Sequence, residues 1–220
     1  MGRLRTFYAS MVGKKAVMGL TGLIWIGFVI LHSLGNLLVF RGAGAINSYS
    51  RFLKSTGELL WALRGVLFFA VILHVVAAIQ LTRQSRAARP IGYTKREAQV
   101  ATISSRTMRW GGALLLVFLV AHILHFTTGN IRPAGVFSTE DVYANVVTNF
   151  RIWWVALFYI IAMVALGLHL FHGAWSSVRS IGVSPPSPQP LHRRISLAIA
   201  LFVWAAFTAI PVAVFSGILR

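Results

Sequence analysis

Seven histidines are the residues of this 220-residue chain best equipped for chemistry. Six of them, His32, His74, His122, His125, His169 and His172, lie within long apolar stretches, and only His192 is expected in a connecting loop. Imidazole is the commonest metal ligand among side chains and also passes protons near neutral pH. Inside a bilayer an ionisable group is costly, so it turns towards the interior of a bundle and marks a function. A single intramembrane histidine can be accounted for by one hydrogen bond to a neighbouring helix. Four apolar stretches that each carry at least one are harder to account for in that way.

The elements that must position these side chains follow from composition. Apolar residues make up 57% of the chain and charged residues 11%, with a mean hydropathy of +0.73. That is too apolar for a soluble domain of this size. Five stretches reach the roughly 20 apolar residues that a membrane-spanning helix needs: about 16–40, 61–82, 110–129, 152–176 and 195–217. Hydrocarbon leaves no partner for unpaired backbone groups, so an all-α, five-helix membrane bundle is expected, forming one domain over residues 1–220. The first stretch follows basic residues but has no small-residue cleavage site, and reads as a retained helix rather than a signal peptide. The net charge of +17 would suggest nucleic acid in a soluble protein, but here Lys and Arg flank apolar spans. Fourteen of the 21 cations, including Arg89, Lys95 and Arg96 after the second span, fall on the side of the N-terminus. That bias predicts a cytoplasmic N-terminus and an outside C-terminus. The proline-rich run SPPSPQP (184–190) reads as an extended connector.

Depth turns the histidines into a geometry, since each helical residue advances about 1.5 Å. The first and third helices run outward and carry His32 and His122 to about 20–24 Å from the inner face. Helices two and four run inward and leave His74 and His169 about 11–12 Å from it. Two level pairs result, His32 with His122 and His74 with His169, each drawn from two helices, and about 9–12 Å apart along the membrane normal. Such pairs suit two bis-histidine haems stacked across the membrane. The chain has no cysteine, which removes thiolate-held iron–sulfur clusters, disulfides and C-x-x-C-H haem attachment, so any haem here is b-type.

Neighbouring residues carry further expectations. Small side chains one turn from a ligand make room for a macrocycle: Ala70, Ala77 and Ala78 around His74, Ala165 and Gly173 around His169, Gly35 and Asn36 beside His32. Small residues also serve plain helix packing. His125 and His172 follow His122 and His169 by three residues, and spacing alone would let either replace its neighbour as ligand. The deeper histidine of each pair is at the level of its partner. That leaves His125 and His172, with Arg64, Arg109 and Trp175 at helix ends, as candidates for haem propionates or quinone, although interfacial anchoring also explains the last three. The four acidic residues, Glu58, Glu97, Glu140 and Asp141, all read as loop residues. Glu58 is the candidate for quinone-coupled proton transfer near the outer pair.

The segments VILHSLGN (29–36), VILHVVAAIQL (71–81), SRTMRWGG (105–112), AHILHFTTGN (121–130) and LHLFHGAWS (168–176) resemble the succinate dehydrogenase cytochrome b558 subunit family, which includes dihaem fumarate reductase anchors. The likeness covers nearly the whole chain, with GAGAINSYSRFLKS (42–55) and RRIS (193–196), and one histidine per helix recurs in order on the first four helices. It implies that His32, His74, His122 and His169 are the axial ligands of two haem b groups. It also implies that the chain anchors a flavoprotein subunit with covalent FAD and an iron–sulfur subunit at the bacterial cytoplasmic membrane. Electrons would then pass between those subunits and a membrane quinone, with menaquinone expected, and succinate chemistry would lie in the partners. With an outer quinone site, outward electron transfer would release about 2.3 kcal/mol per 100 mV for each electron crossing the full potential. Two readings from outside that family fit the same residues: a haem b anchor of another respiratory dehydrogenase, and a haem-free transporter whose histidines relay protons or hold a metal ion.

Overall fold

A computed structural model describes residues 2–88, 102–183 and 190–220. Arg89, Lys95, Arg96, Glu97 and the run 184–189 lie outside the described residues. In chain order the elements are α1 (Arg3–Ala9), α2 (Met11–Asn36), a 3-10 turn (Leu37–Arg41), α3 (Ala43–Ser55), α4 (Glu58–Ala87), α5 (Ile103–His122), a π-helical turn (Ile123–Thr127), α6 (Val142–Phe150), α7 (Trp153–Ser180) and α8 (Pro190–Phe215). Among the described residues there is no strand.

Five stretches are long and apolar enough to cross a membrane: Met11–Arg41, Glu58–Ala87, Ile103–Thr127, Trp153–Ser180 and Leu191–Phe215. Each overlaps one of the apolar stretches read from the sequence, and two are begun by side-chain caps that hydropathy does not register. Ser10 begins α2 by accepting from Gly13 N at 3.0 Å, and Thr102 begins α5 by accepting from Ser105 N at 3.3 Å. Two expectations about loops need correction. His192 lies within α8, because the helix begins at Pro190, a residue whose fixed φ suits a first turn. Glu58 is an exposed residue in the first turn of α4, where its charge complements the helix dipole.

α7 is the centre of the bundle, packing against α8, α5 and α2, while α2 also packs against α4 and α8. Neither α2 with α5 nor α4 with α7 is a packed helix pair. Their backbones stand apart, and each gap is bridged by histidine side chains.

The stretch Ala43–Ser55, between the first two spans, is helical. Gly42, at φ +90°, and Gly57, at φ +53°, turn the chain on either side of it, and the residues between form α3. α3 packs on α6 to make a lid over the end of the bundle away from the N-terminus. Asn47 ties the two together: its amide nitrogen donates to Asp141 Oδ1 at 2.9 Å, and its Oδ1 accepts from Tyr143 N at 3.0 Å. Asp141 caps α6 by accepting from Ala144 N at 2.9 Å, and these donors hold its carboxyl below the usual carboxylate range. Lys54 of α3 donates to Thr139 O and pairs with Glu140 at 3.9 Å. Beneath this lid lies the larger apolar core, in which Val39, Ile46, Val146, Val147 and Phe150 meet Tyr159, Ile210 and Val214. A smaller core of Leu170, Ala200 and Val203 joins α7 to α8.

Candidate metal centres

The bundle brings the four deep histidines together in twos. His32 of α2 and His122 of α5 have ring centroids 6.0 Å apart, and His74 of α4 and His169 of α7 have centroids 6.3 Å apart. Each pair spans one of the two unpacked helix pairs. A metal–imidazole bond is about 2.0 Å and the bonded nitrogen lies about 1.1 Å from the ring centre, so two imidazoles across one metal have centroids about 6.2 Å apart. Both pairs fall within about 0.2 Å of that separation.

The inner pair has the more complete surroundings. His74 Nδ1 lies 3.1 Å from Met18 O and 3.2 Å from Thr21 Oγ1. The Thr21 hydroxyl donates to Val17 O at 2.8 Å, so its oxygen is free to accept. A backbone carbonyl can only accept, which places the proton on His74 Nδ1 and leaves Nε2 with a free lone pair, the state a metal ligand requires. Glycines stand beside both rings. A Cβ at Gly22 would come 3.5 Å from His74 Cε1, and one at Gly112 would come 3.7 Å from His169 Cε1. At Gly173, one turn after His169, a Cβ would meet nothing within 4 Å. His169 Nδ1 is buried without a hydrogen-bond partner. Of the alanines near His74, Ala77 is fully buried, so its size serves close helix packing, whereas Ala70 lines a groove of about 480 Å³ bordered also by Thr21, Gly65 and Leu73.

The outer pair sits in an aromatic shell. Phe28 stacks on His32 at 5.2 Å and Phe207 tilts against it at 5.6 Å, while Phe118 stacks on His122 at 5.6 Å. Asn36, one turn beyond His32, donates from Nδ2 to His32 O at 2.7 Å. Eleven residues separate Thr21, at the level of His74, from His32, or about 16 Å along α2. This exceeds the 9–12 Å read from hydropathy, and α2 itself begins at Met11 instead of near residue 16.

The remaining candidates are placed as follows. His125, in the π-helical turn, is 5% exposed, with Nδ1 3.0 Å from Tyr159 Oη and Nε2 buried without a partner. His172 meets Trp175 edge-on at 5.5 Å, and its Nδ1 is also buried and unpartnered. Trp175 is flanked by the Arg179 and Arg193 guanidinium groups at 5.2 and 5.8 Å. Arg64 is exposed and lies over Trp61 at 4.9 Å, and Arg109 is exposed near the start of α5. Thr21 and Tyr159 are site residues that the sequence reading missed. A helix-spaced tyrosine or threonine in an apolar run carries no signal of the histidine it will meet 53 or 37 residues away.

The donor set fits haem b better than a bare ion. Among the described residues no group of three or more His, Asp or Glu side chains gathers in one place. A haem iron takes its equatorial bonds from the porphyrin and needs only two axial ligands from the protein, which is what each pair offers. Comparison with protein-family models, with curated proteins and with solved structures finds no match for this chain.

Proposed function

We propose that this chain is a dihaem b membrane anchor that carries electrons between an iron–sulfur partner and a membrane quinone, as in a succinate:quinone oxidoreductase. The observation that carries the reading is the pairing of His32 with His122 and His74 with His169, at ring separations of 6.0 and 6.3 Å, across two helix pairs that do not pack on each other. Bound between these rings, haem b would supply a one-electron iron couple at each of two levels. The chain's own part is to fix ligands and exclude water. Met18 O and Thr21 hold the His74 ring with Nε2 free, and Phe28, Phe118 and Phe207 wall the outer rings. Burial of this kind and hydrogen bonding to the ligands set haem potentials.

The family and the partners rest on the sequence resemblance. No cysteine is available for a cluster, and among the described residues no acidic side chain joins the histidines in a group of three or more metal-ligating side chains. Succinate oxidation and the iron–sulfur clusters therefore belong, in this reading, to a covalent-FAD flavoprotein and an iron–sulfur subunit docked on the basic cytoplasmic face of a bacterial inner membrane. Menaquinone is the quinone proposed. Affinity purification of the tagged chain from its native membrane tests the assignment. It should bring down a flavoprotein whose FAD survives denaturation, together with haem b visible in a reduced-minus-oxidised spectrum. Haem b with a different dehydrogenase would keep the anchor and change the complex, and no haem under conditions that retain cofactors would end the reading.

A further inference from the structure

The outer pair poses a proton-counting problem that one buried hydroxyl solves. Tyr159, on α7, is 7% exposed and its ring lies edge-on to Phe118, Phe126 and Phe150, at centroid distances of 5.2, 5.6 and 5.0 Å. Its Oη stands 3.0 Å from His125 Nδ1 and 3.4 Å from His122 Nδ1. A phenol has one proton to donate, and each neutral imidazole has one N–H and one lone pair. If Tyr159 donated to His122, the proton of that ring would sit on Nε2, and this nitrogen would have no lone pair for a metal. If His122 ligates through Nε2, its Nδ1–H must donate to Tyr159 Oη, whose own proton then goes to His125 Nδ1. His125 is thereby left with its proton on Nε2, which is buried and makes no hydrogen bond, with the Asn149 side chain as its polar neighbour. Having both imidazoles donate to Oη would satisfy them only by orphaning the phenol proton.

We infer that Tyr159 is the positioning residue of the outer centre. It holds a directed chain from His122 Nδ1 through Oη to His125 Nδ1, which selects the ligating tautomer of His122. The chain also turns His125 Nε2–H into a donor for an acceptor oxygen, carbonyl or carboxylate, of a group bound beside it. The ring facing His32 is that of His122, while His125 stacks on Phe126 at 4.0 Å, so the two histidines are already divided between ligand and donor. The π-helical turn that begins at Ile123 is what lets both Nδ1 atoms reach one hydroxyl from successive turns. This inference rests on the dihaem reading.

The test is a redox titration of the haem absorbance in the purified complex, with low-spin haem electron paramagnetic resonance, for the wild type and Tyr159→Phe. Removing the acceptor from an imidazole N–H makes the ligand less electron-donating and favours reduced iron. The outer haem should shift about tenfold towards the reduced form, a rise of about 59 mV for one electron, and its resonance should move. The inner haem should be unchanged, which also reports an intact fold. Loss of the outer haem alone would support the same role more strongly. Should Tyr159→Phe lose both haems, His125→Gln, which leaves Oη in place, is titrated instead and must move the outer haem only. Two haems with unmoved potentials overturn this inference alone, and a wild-type complex without haem b overturns it together with the functional reading.

Discussion

Replacing Thr21 with valine removes one oxygen from the inner site and almost nothing else. Valine matches threonine in shape, and the lost hydroxyl group's donations to Val17 O and Met18 O are internal to α2, where both carbonyls keep their helical bonds. What changes is His74 Nδ1, which now faces Met18 O at 3.1 Å alone instead of sharing with Thr21 Oγ1 at 3.2 Å. One neutral hydrogen bond contributes a net of about 0.5–1.5 kcal/mol, and about 1.4 kcal/mol is a factor of ten in an equilibrium constant. Retention of the inner haem should therefore weaken by about two- to tenfold, with no loss at the outer pair. Thermal release of each haem, followed by its own absorbance band in a purified complex, measures this. Thr21→Ser keeps the hydroxyl group and should stay within about twofold of wild type. Equal weakening of both haems, or the same effect from serine as from valine, would refute the argument, because the change would then act through helix packing.

Two further predictions concern the lid. Asn47→Ala removes both hydrogen bonds joining α3 to α6 and leaves Tyr143 N–H without its acceptor, which should cost about 1–3 kcal/mol and lower the melting temperature by about 2–4 °C per kcal/mol. Asp141 has a depressed carboxyl pKa in the folded state, so its stabilisation is present above the unfolded value of about 3.9 and fades as pH falls through the lower folded value. The melting difference between the wild type and Asp141→Asn should therefore be constant at neutral pH and shrink in acid. A difference that grows as pH falls would contradict this.

The parts of the architecture legible in the sequence are those governed by local rules. Twenty apolar residues specify a spanning helix wherever they occur, and a 1.5 Å rise converts residue number into depth, so the five spans and the pairing of His32 with His122 and His74 with His169 can be read directly, while the separation of the two levels was read short. The lid was not legible, because α3 buries only Ile46 fully and its glycine, serines and asparagine have the composition of a loop. It folds on the tertiary bonds of Asn47 and on the apolar core below it. Thr21 and Tyr159 were missed for a related reason. Each acts by meeting a histidine on another helix, and one-dimensional periodicity marks both simply as helix residues. The start of α8 before His192 was hidden by the prolines ahead of it, since a proline signals a connector and a helical first turn equally well.

The central claim is that each histidine pair holds one haem b, and haem stoichiometry by pyridine haemochrome on the purified chain tests it most directly. Wild type should carry two haem b per chain. His74→Ala and His169→Ala should each retain one, the same outer haem in both, while His32→Ala and His122→Ala should each retain the inner one. His125→Ala and His172→Ala should still bind two. Haem lost on replacing His125 or His172 but kept on replacing His122 or His169 would contradict the ligand assignment, and no haem b in the wild type would contradict the account as a whole.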